Sequence, residues 1–228
     1  MFFGKKIIRF IAPAFLAGVI LFAAGSCGKN IDNSVKQLGI DRKKIADFLD
    51  TYCLTPEGEL VPIERAAITQ TTVMTLENEG EGPESPVLPE GYIPLTDTAK
   101  ATSTGGNVYI IHLKEGTGVT PTQKTKVLIR YTGYYLEGLT EFDSTENGTE
   151  PYATWISGVI TGVSDGLRAM KTGTLNEADG QYENPGEAWI IMPSTLGFGS
   201  EGKTDPVVPP NTCLVYRMTL YGIIQQSN

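Results

Sequence analysis

The residues with chemistry to offer sit in the second half of the chain, in short runs of fixed order. Val127-Leu-Ile-Arg-Tyr-Thr-Gly133 reads as a strand entering a turn, and Phe142-Asp143-Ser144 follows it. Then come Val159-Ile160-Thr161-Gly162, Gly166-Leu-Arg-Ala-Met-Lys-Thr-Gly173 and Pro193-Ser-Thr-Leu-Gly-Phe-Gly199. Val208-Pro-Pro-Asn211 and Cys213-Leu-Val-Tyr216 close the series. A single histidine, His112, argues against zinc sites built on several imidazoles and against most Ser-His-acid enzymes. It falls in a strand-like run, Val108 to Leu113, where a surface imidazole is the plain reading. The runs themselves hold aromatic rings, aliphatic side chains and one carboxylate, Asp143, beside Phe142. Rings and aliphatic side chains of this kind influence a reaction by excluding water and packing closely.

These runs must be positioned by strands and one helix. Val108 to Leu113, Lys126 to Tyr131, Ala188 to Met192 and Cys213 to Ile223 alternate and are rich in β-branched residues. In the last of them Leu214, Tyr216, Met218 and Leu220 share one face. Ser164 is expected to cap a helix on which Val163, Leu167 and Met170 fall at i, i+4 and i+7. Several strands with a single helix indicate an α+β fold, an antiparallel sheet curled around that helix.

No single run is specific, but the ordered series resembles the FKBP-type peptidyl-prolyl cis-trans isomerases over about Gly105 to Ile224. The resemblance implies a curved β-sheet half-barrel wrapped on one α-helix, with a ligand pocket between them and a helical or irregular N-terminal extension. It implies that Tyr131, Phe142 and Tyr216 wall a proline pocket, that Asp143 is its polar wall, and that the Ile160 N–H meets the substrate carbonyl. Tyr152, Val159, Val163, Phe198, Val207 and Val208 would complete the substrate contacts. The implied substrates are proline-containing polypeptides, with no metal or cofactor needed. Two positions depart from the family pattern. Val163 stands where a Trp commonly floors the pocket, implying either a deeper or looser floor that a Trp would fill, or a gap already filled by repacked neighbours. Phe198 stands where a Tyr is common, removing one hydroxyl donor. The alternative function is a peptide-binding or chaperone module on the same fold with little turnover.

The N-terminus reads as an export signal. Lys5, Lys6 and Arg9 precede the apolar run Phe10 to Phe22, which is short for a membrane span. Ala23-Ala-Gly-Ser-Cys27 resembles a bacterial lipoprotein box, so residues 1–26 are expected to be removed and Cys27 lipidated. An ordinary cut near Ser26 or an uncleaved anchor are the other readings. The implied location is the bacterial cell envelope, anchored to the outer membrane on its periplasmic face. The chain carries a net charge of -8, and without the signal 15 basic residues face 26 acidic ones. An acidic chain with no basic run is a poor binder of nucleic acid.

Residues 27–103 are expected to precede the isomerase-type domain, 104–225. Asn30 to Gly39 reads as a polar tether, and Asp41 as the cap of a helix running to about Cys53. Its stripe Ile45, Phe48, Leu49 and Tyr52 either packs on its own domain or forms a homodimer. From Pro56 to Ala101 a flexible insert is expected, most clearly at the acidic, Gly- and Pro-rich run 77–86, with Val61–Ile63 and Ile68–Leu76 adding a strand or two. The 175–186 segment, with Glu177, Asp179 and Glu183, reads as a solvated loop or a client contact. Whether Cys53 and Cys213 pair is open. Gly197-Phe-Gly-Ser-Glu-Gly202 fits a dinucleotide fingerprint, but the prolines at 206, 209 and 210 forbid the helix that such a site needs.

Overall fold

A computed structural model describes residues 29–64, 88–102 and 107–224. The signal 1–26, Cys27, the 77–86 run and the 68–76 strand candidate lie outside them. The chain starts with helix α1 (Lys29–Thr51), followed by β1 (Tyr52–Leu54), β2 (Leu60–Pro62), β3 (Ile93–Pro94), the one-turn helix α2 (Leu95–Thr98) and β4 (Lys100–Ala101). Then come β5 (Tyr109–Lys114), β6 (Lys126–Tyr135), β7 (Glu141–Ser144), β8 (Tyr152–Trp155) and helix α3 (Thr161–Leu167). A hairpin of β9 (Thr174–Asn176) and β10 (Gln181–Glu183) leads to β11 (Gly186–Met192). The hairpin of β12 (Lys203–Thr204) and β13 (Val207–Val208) precedes β14 (Leu214–Ile223).

The main sheet runs β4-β5-β11-β14-β6-β7, with β8 also on β6, and it stays open. Its pairs are antiparallel, so β14 is sandwiched between β11 and β6 with Tyr216 opposite both Ile190 and Gly133. Two apolar clusters cover its two faces. Ile129, Tyr131, Ile190, Met192, Leu214, Tyr216 and Met218 face α3 and its Val163 and Leu167. The expected shared face of β14 is therefore the one that meets the helix. The helix lies unusually close to β11 because its sheet-facing ridge is glycine. A Cβ on Gly162 would sit 2.4 Å from Met192 Sδ, and one on Gly166 2.4 Å from Ile190 Cδ1.

The opposite face is covered by the N-terminal segment. Ile45, Phe48 and Leu49 of α1 pack with Ile111, Trp189, Ile191 and Val215. Burying each such side chain stabilises by roughly 1.5–3 kcal/mol. The alternating sides of β11 thus both meet apolar partners, which is why Ala188 to Met192 is an unbroken apolar run. Tyr52 stacks on Phe48 with ring centroids 4.2 Å apart. The stripe expected on α1 is thus packed on the chain's own sheet.

Several N-terminal expectations are corrected. The helix begins at Lys29, so 30–39 is helix rather than tether. Asp41 is not a cap but lies mid-helix, fully buried, because tertiary partners take the carboxylate that would otherwise compete for its own backbone. The segment expected to be a flexible insert is ordered at both ends: its β2 and β3 pair with β1 in a small sheet, and its β4 extends the main one at its edge. Trp189 Nε1 donates to the Gly58 carbonyl at 2.8 Å, tying the β1–β2 turn to β11. Nor does Ser164 cap α3. The cap position belongs to Ile160, whose carbonyl accepts the Ser164 N–H at 3.0 Å. Cys53 and Cys213 are free buried thiols. Burial, with the Asp41 carboxylate beside it, pushes the Cys213 thiol up to about 12.

Candidate active site

One row of the sheet builds the site. Tyr216 on β14, Gly133 on β6 and Asp143 on β7 are neighbours in register. Gly133 carries no side chain, and a Cβ there would lie 2.8 Å from the Phe142 ring and 2.9 Å from Tyr216. Its absence lets the two rings close edge-to-face over the strand, with centroids 5.9 Å apart at 85°. Tyr131, two residues earlier on the same face of β6, meets Tyr216 at 5.8 Å and 61°.

Phe142 and Asp143 are adjacent, so a regular strand would send them to opposite faces. The register of β6 and β7 shifts between Gly133 and Tyr134, leaving Phe142 as the extra residue of a bulge. Both side chains then face the same ring cluster, Phe142 against Tyr216 and Asp143 against Tyr131. Asp143 Oδ2 accepts the Tyr131 hydroxyl at 2.7 Å. Burial holds the Asp143 carboxyl above its ordinary range, while the Tyr131 hydroxyl, the Ser144 amide and the Lys203 charge pull it down. Burial first, and then Asp143, push the Tyr131 phenol well up, and burial does the same to Tyr216. Both phenols are therefore neutral donors or acceptors at neutral pH.

The remaining expected residues surround this group. Ile160 is 8% exposed at the head of α3, where its N–H stands outside the helical hydrogen-bond ladder. Tyr152 on β8, Val159 and Phe198 are half-buried against the same cluster. Val208 is buried, whereas Val207 is 64% exposed, so only the second of the pair belongs to the wall and the first forms the lip. Val163 is 0% exposed: no space wide enough for a water touches it, and the expected loose floor is closed at this side chain.

Two contributors were not anticipated. Tyr135 stacks on Phe142 with centroids 5.2 Å apart, and its hydroxyl donates to the Val207 carbonyl, bracing the lip. Alternation along β6 puts 131, 133 and 135 on one face, a signal sufficient to find it. Lys203 Nζ lies 5.2 Å from the centre of the Phe198 ring. Burial lowers its pKa, against the pull of Asp143 and Asp205. Nothing local in the sequence marks it; the β12–β13 hairpin brings it in.

A curved antiparallel sheet with one short helix on its concave face and a ring-walled, single-carboxylate cup defines an FKBP-type domain. Residues 118–221 match the model of the family described as FKBP-type peptidyl-prolyl cis-trans isomerase, so this segment of the chain is of FKBP type. It is 30% identical over 122 residues to FKBP-type peptidyl-prolyl cis-trans isomerase FkpA of Escherichia coli, covering 54% of this chain and 39% of that protein. It is 30% identical over 108 residues to Outer membrane protein MIP of Legionella longbeachae, covering 47% and 40%. The crystal structure of FkpA from Escherichia coli superposes with a TM-score of 0.45 at 29% identity, over 55% of this chain and 51% of that one. The chain thus spans about two fifths of the length of these curated relatives.

Proposed function

We propose that residues 104–225 catalyse cis-trans isomerisation of Xaa-Pro bonds in polypeptide clients. The observation that carries this reading is the group Tyr131, Phe142, Tyr216 and Asp143, with one hydrogen-bonded carboxylate set among three rings. The prolyl amide rotates over a barrier of roughly 18–20 kcal/mol because twisting it breaks resonance. The twisted amide has a less polar carbonyl, so a dry apolar cup favours it over the planar form. Tyr131, Phe142 and Tyr216 would wall the proline ring, Asp143 would face its polar edge, and the Ile160 N–H would hold the preceding carbonyl. Tyr152, Val159, Phe198 and Val208 would line the cup, with Val207 at its lip and Val163 packed beneath its floor. No proton or electron is transferred.

Location and assembly extend the proposal. Cleavage before Cys27 and its lipidation would leave α1 starting two residues beyond the anchor, holding the cup at a membrane surface of the bacterial envelope. The name of the Legionella relative and the sequence Ala24-Gly-Ser-Cys27 support this reading. No helix among the described residues is long and apolar enough to cross a membrane. A homodimer through α1 would use outward residues such as Val35 and Ile40, since Ile45, Phe48 and Leu49 are already packed.

The chaperone-only alternative draws on Val163 and Phe198, the two departures from the family pattern. A proline-limited peptide assay run beside an aggregation assay separates the two readings. Turnover supports the isomerase, and suppression of aggregation without turnover supports the alternative.

A further inference from the structure

Asp41 lies on α1, outside the matched segment 118–221, yet it is tied to the cup. It is 0% exposed, as is its partner Ser194. Asp41 Oδ2 accepts the Ser194 N–H at 2.9 Å and the Ser194 hydroxyl at 2.6 Å, and Oδ1 accepts from Gln37 Nε2 at 2.7 Å. Ser194 passes the constraint on. Its carbonyl accepts the N–H groups of Gly197 at 2.9 Å and Gly199 at 2.8 Å, the two residues flanking Phe198. The Phe198 carbonyl in turn accepts the Gly202 N–H at 3.1 Å. All three polar groups of Ser194 are therefore used, two by α1 and one by the loop that carries Phe198.

A surface loop samples many conformations unless its backbone is held, and hydrogen bonds to a buried carboxylate are the strong kind. A wall that acts by close apolar contact works only when it is in place. We propose that Asp41 is a positioning residue for the cup: through Ser194 it holds the 194–202 loop so that Phe198 faces the proline ring. α1 is then a working part of the isomerase as well as its cover. This inference rests on the isomerase reading of the cup.

The test is a double-mutant cycle on the mature chain: wild type, Asp41→Ala, Phe198→Ala and the pair. A Xaa-Pro peptide reports turnover, and amide exchange at Gly197 and Gly199 is followed below the melting range. Asp41→Ala should lower kcat/KM about tenfold, chiefly through KM, but less than about twofold when Phe198 is already Ala. Asp41→Asn, which keeps an oxygen for Ser194, should recover most of the loss. Exchange at Gly197 and Gly199 should quicken in Asp41→Ala. Equal losses of activity in both backgrounds would overturn the proposal, since Asp41 would then act on general stability. If the wild type shows no turnover, the isomerase reading fails, and unchanged exchange at the two glycines overturns the clamp by itself. If Asp41→Ala does not fold, Ser194→Ala, which removes one donor, takes its place in the same cycle.

Discussion

The Tyr131 hydroxyl donates to Asp143 Oδ2 at 2.7 Å, and this bond joins a buried ring of the cup to its carboxylate. It gives the half-buried carboxylate a partner and leaves the ring faces apolar. The pair supplies orientation without a proton-transfer step, as a reaction governed by desolvation requires.

Phe142→Ala should lower kcat/KM for a proline peptide by about tenfold or more, equivalent to at least about 1.4 kcal/mol of lost transition-state binding. The ring is only half-buried, so the fold should survive. Circular dichroism and a thermal melt beside the kinetics check both parts, and unchanged turnover would move the site elsewhere.

Gly133→Ala should be worse than its size suggests. The new methyl would meet both the Phe142 and Tyr216 rings inside 3 Å. Overpacking of this kind costs about 1–3 kcal/mol. Loss of turnover with a lowered Tm is the expected result; a neutral variant would mean that the rings are not held as described.

Much of this architecture was legible in the sequence. The β14 face Leu214, Tyr216, Met218 and Leu220 followed from period two, and the ordered motifs led to the cup. What failed were the caps. Asp41 and Ser164 are good capping residues by local preference, but both lie inside helices, Asp41 because Ser194 binds its carboxylate 153 positions away in sequence. The shared face of Phe142 and Asp143 was equally hidden, since a bulge depends on the partner strand and leaves no local mark. Tyr135 was readable by alternation along its strand.

Val163→Trp discriminates between two views of the floor. The family pattern implies room for the ring, but the enclosed Val163 side chain implies none. Trp should therefore overpack and destabilise by roughly 1–3 kcal/mol without raising kcat/KM. A variant of equal stability with higher turnover would show that the floor is open.

Asp143→Asn tests the electrostatics. The folded-state pKa of Asp143 is raised above its ordinary 3.8, so the native state takes up a proton more readily than the unfolded chain. The associated stability is present below that value and is lost as pH rises through the folded-state pKa. Asn keeps an acceptor for Tyr131 and has no charge to desolvate. Relative to the variant, the wild type should lose stability as pH climbs from the ordinary 3.8 through the raised folded-state pKa, as urea unfolding would measure. An opposite slope would mean that the carboxylate is stabilised by its partners more than it is penalised by burial.

The central claim is that the cup turns over prolyl bonds, and the direct measurement is the isomerisation rate of a Xaa-Pro peptide with and without the mature protein. Uncatalysed, the bond relaxes in tens to hundreds of seconds. The account predicts an acceleration proportional to protein concentration that is largely lost in Phe142→Ala. A folded wild-type protein that leaves the uncatalysed rate unchanged would contradict it.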